Sequence, residues 1–226
     1  DTAQSTAVFV KPPPGFLVFG HIWYPAAAAL SPDGALAAIS FPGEVAVWET
    51  EKGAAAFTLK GHEGDVRALA FRPDGKQLAT AGADKTIRLW DLKTGREVLR
   101  LRGHTEGVTG LRFSPSGKKL VSWSSDRTAR VWDAESGAEI AVLRGHTGTI
   151  RDADFRPDEL RVTTAGDNSV RVWTLEAPKM PDLALSGHAG KVTAIAYSPD
   201  GKFFLTSSAD QSARLWNAAT GKVVRE

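Results

Sequence analysis

Cysteine is absent from the 226 residues. That excludes disulfides, thiolate zinc centres and cysteine nucleophiles together. Charge of either sign lacks an excess: 28 Lys and Arg against 26 Asp and Glu leave a net +2, too little to draw the chain strongly onto nucleic acid or anionic lipid. No apolar run approaches the roughly 18 residues of a membrane span. The start, Asp1–Val10, lacks the charged residues and apolar block of a signal peptide, although a mature secreted protein would read the same way. With 42% hydrophobic and 24% charged residues, the composition is neither disordered nor collagen-like.

What is present is periodic. There are only five histidines, each after a glycine: His21, His62, His104, His146 and His188, spaced 41, 42, 42 and 42. Five of the seven tryptophans keep the same beat: Trp48, Trp90, Trp132, Trp173 and Trp216, spaced 42, 42, 41 and 43. A period of about 40–45 residues is the length of one four-stranded propeller blade. From His62 onward the chain shows four short runs. Val66–Phe71 precedes the turn Arg72-Pro73-Asp74-Gly75, and Gln77–Ala81 precedes Gly82-Ala83-Asp84-Lys85. Thr86–Trp90 precedes Lys93-Thr94-Gly95, and Glu97–Leu101 ends the unit. Proline fixes φ in such turns, aspartate caps them and glycine takes positive φ, so four runs with these breaks predict an antiparallel meander. The fourth unit departs at Pro157-Asp158-Glu159, where glycine is missing; the shortening of its period by one residue is expected there.

Gly-His followed by Trp-Asp, at Trp90-Asp91 and Trp132-Asp133, resembles the WD-repeat β-propellers, with Trp48-Glu49, Trp173-Thr174 and Trp216-Asn217 as degenerate versions. The likeness covers nearly all of residues 21–226, and the closely similar units resemble bacterial-type WD repeats. It implies an all-β propeller of four-stranded antiparallel blades, about five and a half of them present, in a ring of the seven-bladed kind. The boundaries expected are a half blade at 1–20, formed by Ser5–Val10 and Phe16–Phe19, then blades at 21–60, 61–102, 103–144, 145–186 and 187–226. Seven blades would need about 300 residues at this period, so the expectation is a module of a larger protein.

Each of the last four blades carries a His, a hydroxyl, an Asp and a Trp: His62, Thr80, Asp84, Trp90; His104, Ser122, Asp126, Trp132; His146, Thr163, Asp167, Trp173; and His188, Thr206, Asp210, Trp216. As nucleophile, base and orienter these would make four hydrolase triads. One enzyme has no use for four, and no G-x-S-x-G elbow accompanies them. The resemblance implies instead a structural hydrogen-bonded tetrad, once per blade. In the first blade Ile39 and Pro42 take the hydroxyl and Asp places, so its network cannot form. Histidines set one per blade around a ring do not converge on a metal. Arg88, Arg130, Arg171 and Arg214, each two residues before a Trp, form a girdle rather than a basic patch, and stacking and ion pairing between adjacent blades are expected of them.

Function must come from a site rather than the fold. The family's contacts commonly fall in the loops after Gly-His and the turns before the third strand. Carried onto this sequence, they give Asp65, Arg67, Glu106, Thr109, Thr149, Arg151, Lys191 and Thr193. Trp23 and Tyr24 in the first blade either anchor a partner or cover an open edge, and Trp123, where sister blades have Ala81 and Ser207, reads as packing. The resulting expectation is a non-catalytic scaffold that binds a protein or peptide, with no nucleic acid, no membrane insertion, no cofactor and no metal. A structural subunit of a larger assembly and a propeller enzyme with an axial site are the alternatives.

Overall fold

The computed structural model describes residues 26–175 and 182–226. All regular structure in these residues is β. The first sheet has six strands in sequential order: β1 (Ala28–Leu30), β2 (Leu36–Glu49), β3 (Ala54–Phe71), β4 (Gln77–Gly82), β5 (Thr86–Asp91) and β6 (Arg96–Arg102). It is six-stranded because β3 serves two units: its first half pairs with β2 and its second, from Val66, with β4. The expected boundary at 60/61 therefore lies inside one continuous strand. Three four-stranded antiparallel sheets follow. They are β7 (Val108–Phe113) to β10 (Glu139–Arg144), with β8 (Lys119–Ser124) and β9 (Thr128–Asp133) between; β11 (Ile150–Phe155), β12 (Arg161–Gly166), β13 (Ser169–Thr174) and β14 (Leu183–Ser186); and β15 (Val192–Tyr197), β16 (Phe203–Ser208), β17 (Ala213–Asn217) and β18 (Val223–Arg225). The expected half blade at 1–20, His21, Trp23 and Tyr24 lie outside the described residues.

The first strand of each unit packs beside that of the next: β3 on β7, β7 on β11, β11 on β15. Between successive units lie four apolar clusters, in which small or branched residues of one unit meet leucines, aromatics and the tryptophan of the next. One example is Ala79, Ile87 and Leu89 against Leu111, Phe113, Leu120 and Trp132. The same scheme recurs at the other joints. A four-stranded sheet cannot bury both faces alone; serial stacking solves this. The Asp of Trp-Asp acts locally. Asp91 Oδ1 accepts Thr94 N–H at 2.7 Å and Lys93 N–H at 3.1 Å, closing the turn into β6. Asn217 does the same for Thr220 and Ala219, so that degenerate unit keeps the turn.

Two expectations for the fourth unit are corrected. Its Pro-Asp turn keeps full length: Arg156 N–H bonds Arg161 O and Glu159 N–H bonds Arg156 O, as Arg72–Gln77 and Gly75–Arg72 do in the second unit. Glu159 stands in the glycine place with φ +58°, and its carboxylate accepts Ser116 N–H and Ser116 Oγ–H from the preceding sheet at 2.6 and 2.9 Å. The missing residue is at the next turn, where Gly166 pairs directly with Ser169 and leaves Asp167-Asn168 as a two-residue connection. The hydroxyl of this unit's network is consequently Thr164 and not Thr163. Adjacent residues of a strand face opposite sides, and Thr163 instead meets the Tyr197 hydroxyl of the following sheet.

Candidate functional site

In each of the last four units, the loop after Gly-His and the turn after the second strand are tied together. His62 Nδ1 lies 3.0 Å from Asp84, His62 Nε2 lies 2.7 Å from Thr80 Oγ1, and Trp90 Nε1–H donates to that oxygen at 2.9 Å. The corresponding distances are 2.8, 2.9 and 2.9 Å for His104, Asp126, Ser122 and Trp132. They are 3.3, 2.8 and 2.8 Å for His146, Asp167, Thr164 and Trp173, and 3.0, 2.8 and 2.9 Å for His188, Asp210, Thr206 and Trp216. Donor and acceptor roles follow from the network. The carboxylate accepts Nδ1–H, so Nε2 is the acceptor of the hydroxyl proton while the hydroxyl oxygen receives the indole N–H. This chain requires a neutral imidazole. Burial holds His62, His104 and His146 below the ordinary histidine value despite their aspartates.

Each aspartate does more than orient a ring. Asp126 accepts Thr105 N–H at 3.0 Å and Thr128 Oγ–H at 2.7 Å. Burial pushes its carboxyl up, but the bonds from Thr128, His104 and Thr105 outweigh that and hold it at about 2. Thr86, Thr128, Ser169 and Ser212 make the same hydroxyl contact in their own units at 2.9, 2.7, 2.8 and 2.7 Å. The sequence expectation omitted these four hydroxyls, although their recurrence two residues after each Asp was a readable signal. In the first unit, Trp48 Nε1 is buried with no hydrogen-bond partner among the described residues, and Ile39 supplies no acceptor.

The four triad-like hydroxyls, Thr80, Ser122, Thr164 and Thr206, are fully buried, and a hydroxyl shut from solvent cannot attack a substrate. Among the described residues no three His, Asp or Glu gather as a metal set. Arg88 and Arg130 of the arginine girdle are buried and Arg171 and Arg214 half-buried, but the pairing differs from expectation. Arg88 reaches Glu97 at 2.6 Å, Arg130 pairs with Glu139, and Arg214 reaches Glu226 at 2.6 Å. Each pair lies within one unit. The Arg88 guanidinium and Trp90 ring also crowd Gly61, where an added Cβ would come within 2.4 Å of Arg88 Nη1 at φ +153°. This explains the glycine of that Gly-His pair.

The candidate contact residues share the edge that the tetrads organise. Asp65, Arg67, Glu106, Arg151, Lys191 and Thr193 are exposed, while Thr109 and Thr149 are half-buried. The first pairing of each of the last four units slips by one residue, between Val66 and Ala68, Val108 and Gly110, Ile150 and Asp152, and Val192 and Ala194. Arg67, Thr109, Arg151 and Thr193 thus fall in a repeated bulge, the device that re-aims a side chain at a strand end. Trp123 is buried, and its Nε1–H donates to Arg151 O at 3.1 Å. Thr147, Gly148, Thr149, Arg151, Asp167 and Lys191 line an open cleft of about 320 Å³.

The family described as WD domain, G-beta repeat matches residues 53–91, 95–133, 137–174 and 181–217. The chain is 38% identical over 68 residues to a Notchless protein homolog of Arabidopsis thaliana, covering 30% of this chain and 14% of that protein. It is 31% identical over 67 residues to ribosome assembly protein 4 of Saccharomyces cerevisiae, covering 30% and 13%. It is 36% identical over 70 residues to the target of rapamycin complex subunit wat1 of Schizosaccharomyces pombe, covering 30% and 22%. The matches thus span less than a quarter of these relatives. All three are eukaryotic and give no support to the bacterial character expected from the sequence.

Proposed function

The chain belongs to the WD40-repeat family, and from that premise we propose that it is a non-catalytic scaffold. In this reading it holds a protein or peptide partner on the loop edge organised by the His–Asp contacts. The units at 21–60, 61–102, 103–144, 145–186 and 187–226 act as one propeller domain, and their tetrads hold the loops in place. The observation that carries the reading is a division of labour. The tetrad residues repeated in the last four units are buried or half-buried and satisfy one another, whereas the variable ones, Asp65, Arg67, Glu106, Arg151 and Lys191, stand exposed on the same edge. Loops positioned by a rigid frame are where binding concentrates. Two relatives are named for assembly or complex membership, which favours a role inside a multi-subunit complex, including that of a structural subunit.

The test is quantitative cross-linking of a captured partner. Replacing these five loop residues with alanine reduces the cross-linked partner at least tenfold, while alanine at Asp74 and Lys76, on the opposite edge, leaves it unchanged. Equal capture by both variants contradicts the reading.

A further inference from the structure

The loop edge is not electrostatically uniform. Two positions recur at each unit, 42 residues apart: Asp65, Gly107, Thr149 and Lys191 in the loop, and Arg67, Thr109, Arg151 and Thr193 in the bulge. Setting one unit's bulge residue against the next unit's loop residue by this count gives Arg67 with Gly107, Thr109 with Thr149, and Arg151 with Lys191. At the first of these joints the Arg67 guanidinium lies over Gly107, so that an added Cβ would sit 2.9 Å from Arg67 Nη1. Only the last pair sets two cations against each other. Both are exposed and line one cleft, and no salt bridge joins either to a carboxylate of the described residues. Two like charges left side by side repel unless an anion comes between them.

The cleft is suited to such an anion. Gly148 and Thr149 bring backbone donors and Thr149 a hydroxyl, while both donors of Thr147 are spent on Asp167; Arg151 brings a planar fork that matches a carboxylate. Arg151 is held from behind, since Trp123 Nε1–H grips its carbonyl oxygen and occurs in this unit joint alone. Asp167 also lines the cleft, but both its oxygens are engaged: Oδ1 by Ser169 and His146, Oδ2 by Thr147 N–H and Oγ–H. Its charge leaves the lining with one net positive charge, matching a monoanion better than a dianion such as phosphate. Resting on the scaffold reading above, we infer that this cleft receives an aspartate or glutamate side chain of an extended acidic segment in the partner protein.

The probe is the peptide acetyl-Ser-Glu-Glu-Ser-amide, titrated into the ¹⁵N-labelled full chain. The expected result is a saturable shift of the Gly148, Thr149 and Lys191 amide signals. It is at least tenfold weaker with the Gln-Gln peptide and in the Arg151→Gln/Lys191→Gln variant, and unchanged in Lys76→Gln. Because both replaced residues are exposed, the double variant keeps the parent melting temperature. No saturable shift, an equal response to the Gln-Gln peptide, or a response only to the doubly phosphoserine peptide overturns the inference. If the double variant still cross-links partner at the parent level while the five-residue variant does not, the acidic-segment inference falls and the scaffold reading stands.

Discussion

Thr163 and Thr164 are chemically identical neighbours with different jobs. Thr164 Oγ1 receives the Trp173 indole N–H and gives its proton to His146, while Thr163 meets Tyr197 across the joint. Thr164→Val leaves two buried polar groups unpaired and is expected to cost about 1–3 kcal/mol, with a change in the ring ¹⁵N shifts of His146. Thr163→Val leaves those ring shifts unchanged, and a shift of His146 in both variants contradicts the assignment. The sequence already contained the distinction: the hydroxyl is 18 residues after His in the other three units, and 146 plus 18 is 164. Counting to the Asp instead hid it, because the deleted residue lies between the two.

Protonation acts at the same scale. Folded His62, His104 and His146 titrate below 6.5, so the unfolded chain binds their protons first as pH falls. Asp126, at about 2 against an ordinary 3.8, works in the same direction lower down. Depressed folded values mean stability that is complete above 6.5 and lost with acid. The melting temperature is expected to be level from pH 7 to 9, to decline below about 6.5 and to drop again below about 4. A maximum near pH 5 contradicts this.

Among the elements, β7 and β8 carry an adjustment absent from their sisters. Gly110 pairs with Trp123, and a Cβ on Gly110 would lie 2.1 Å from the indole. The large ring and the missing side chain compensate for Ala68 opposite Ala81 in the preceding unit. Gly110→Ala is expected to destabilise by about 1–3 kcal/mol through overpacking. Gly110→Ala/Trp123→Ala restores part of that loss relative to the sum of the single variants, read from denaturant midpoints. Strict additivity contradicts the packing explanation. The strands themselves were legible, because short apolar-rich runs and Pro-Asp-Gly turns are local signals. The Gly110–Trp123 match was not, since it depends on which residues of two strands stand opposite, and the bulge after Val108 shifts that register.

Across the whole molecule, the joints hold features that no single repeat displays. Arg112 on β7 reaches Asp152 at 3.3 Å and Asp154 at 3.1 Å on β11. The same two carboxylates accept Ile195 and Tyr197 N–H on β15 at 2.8 and 3.1 Å. One polar clasp thus joins three successive sheets, where sister units have Ala68 and Ala70 or Ala194 and Ala196. Asp152→Ala is expected to speed amide exchange at Ile195 more than tenfold while leaving Ile87 unaffected; uniform acceleration at both would mean global rather than local opening. The repeat arithmetic made the stacked architecture readable. It concealed the clasp and the Arg151–Lys191 cleft, because both arise where one copy differs from the others.

The repeated tetrads hold the frame of this chain, and the proposed partner site is built from unrepeated residues of the loop edge. Thermal unfolding of Asp126→Ala beside Arg151→Gln/Lys191→Gln tests that division most directly. The first is expected to lose about 1–3 kcal/mol and the second to melt with the parent protein. An Asp126→Ala chain that melts like the parent, or a cleft variant that loses as much stability, contradicts it.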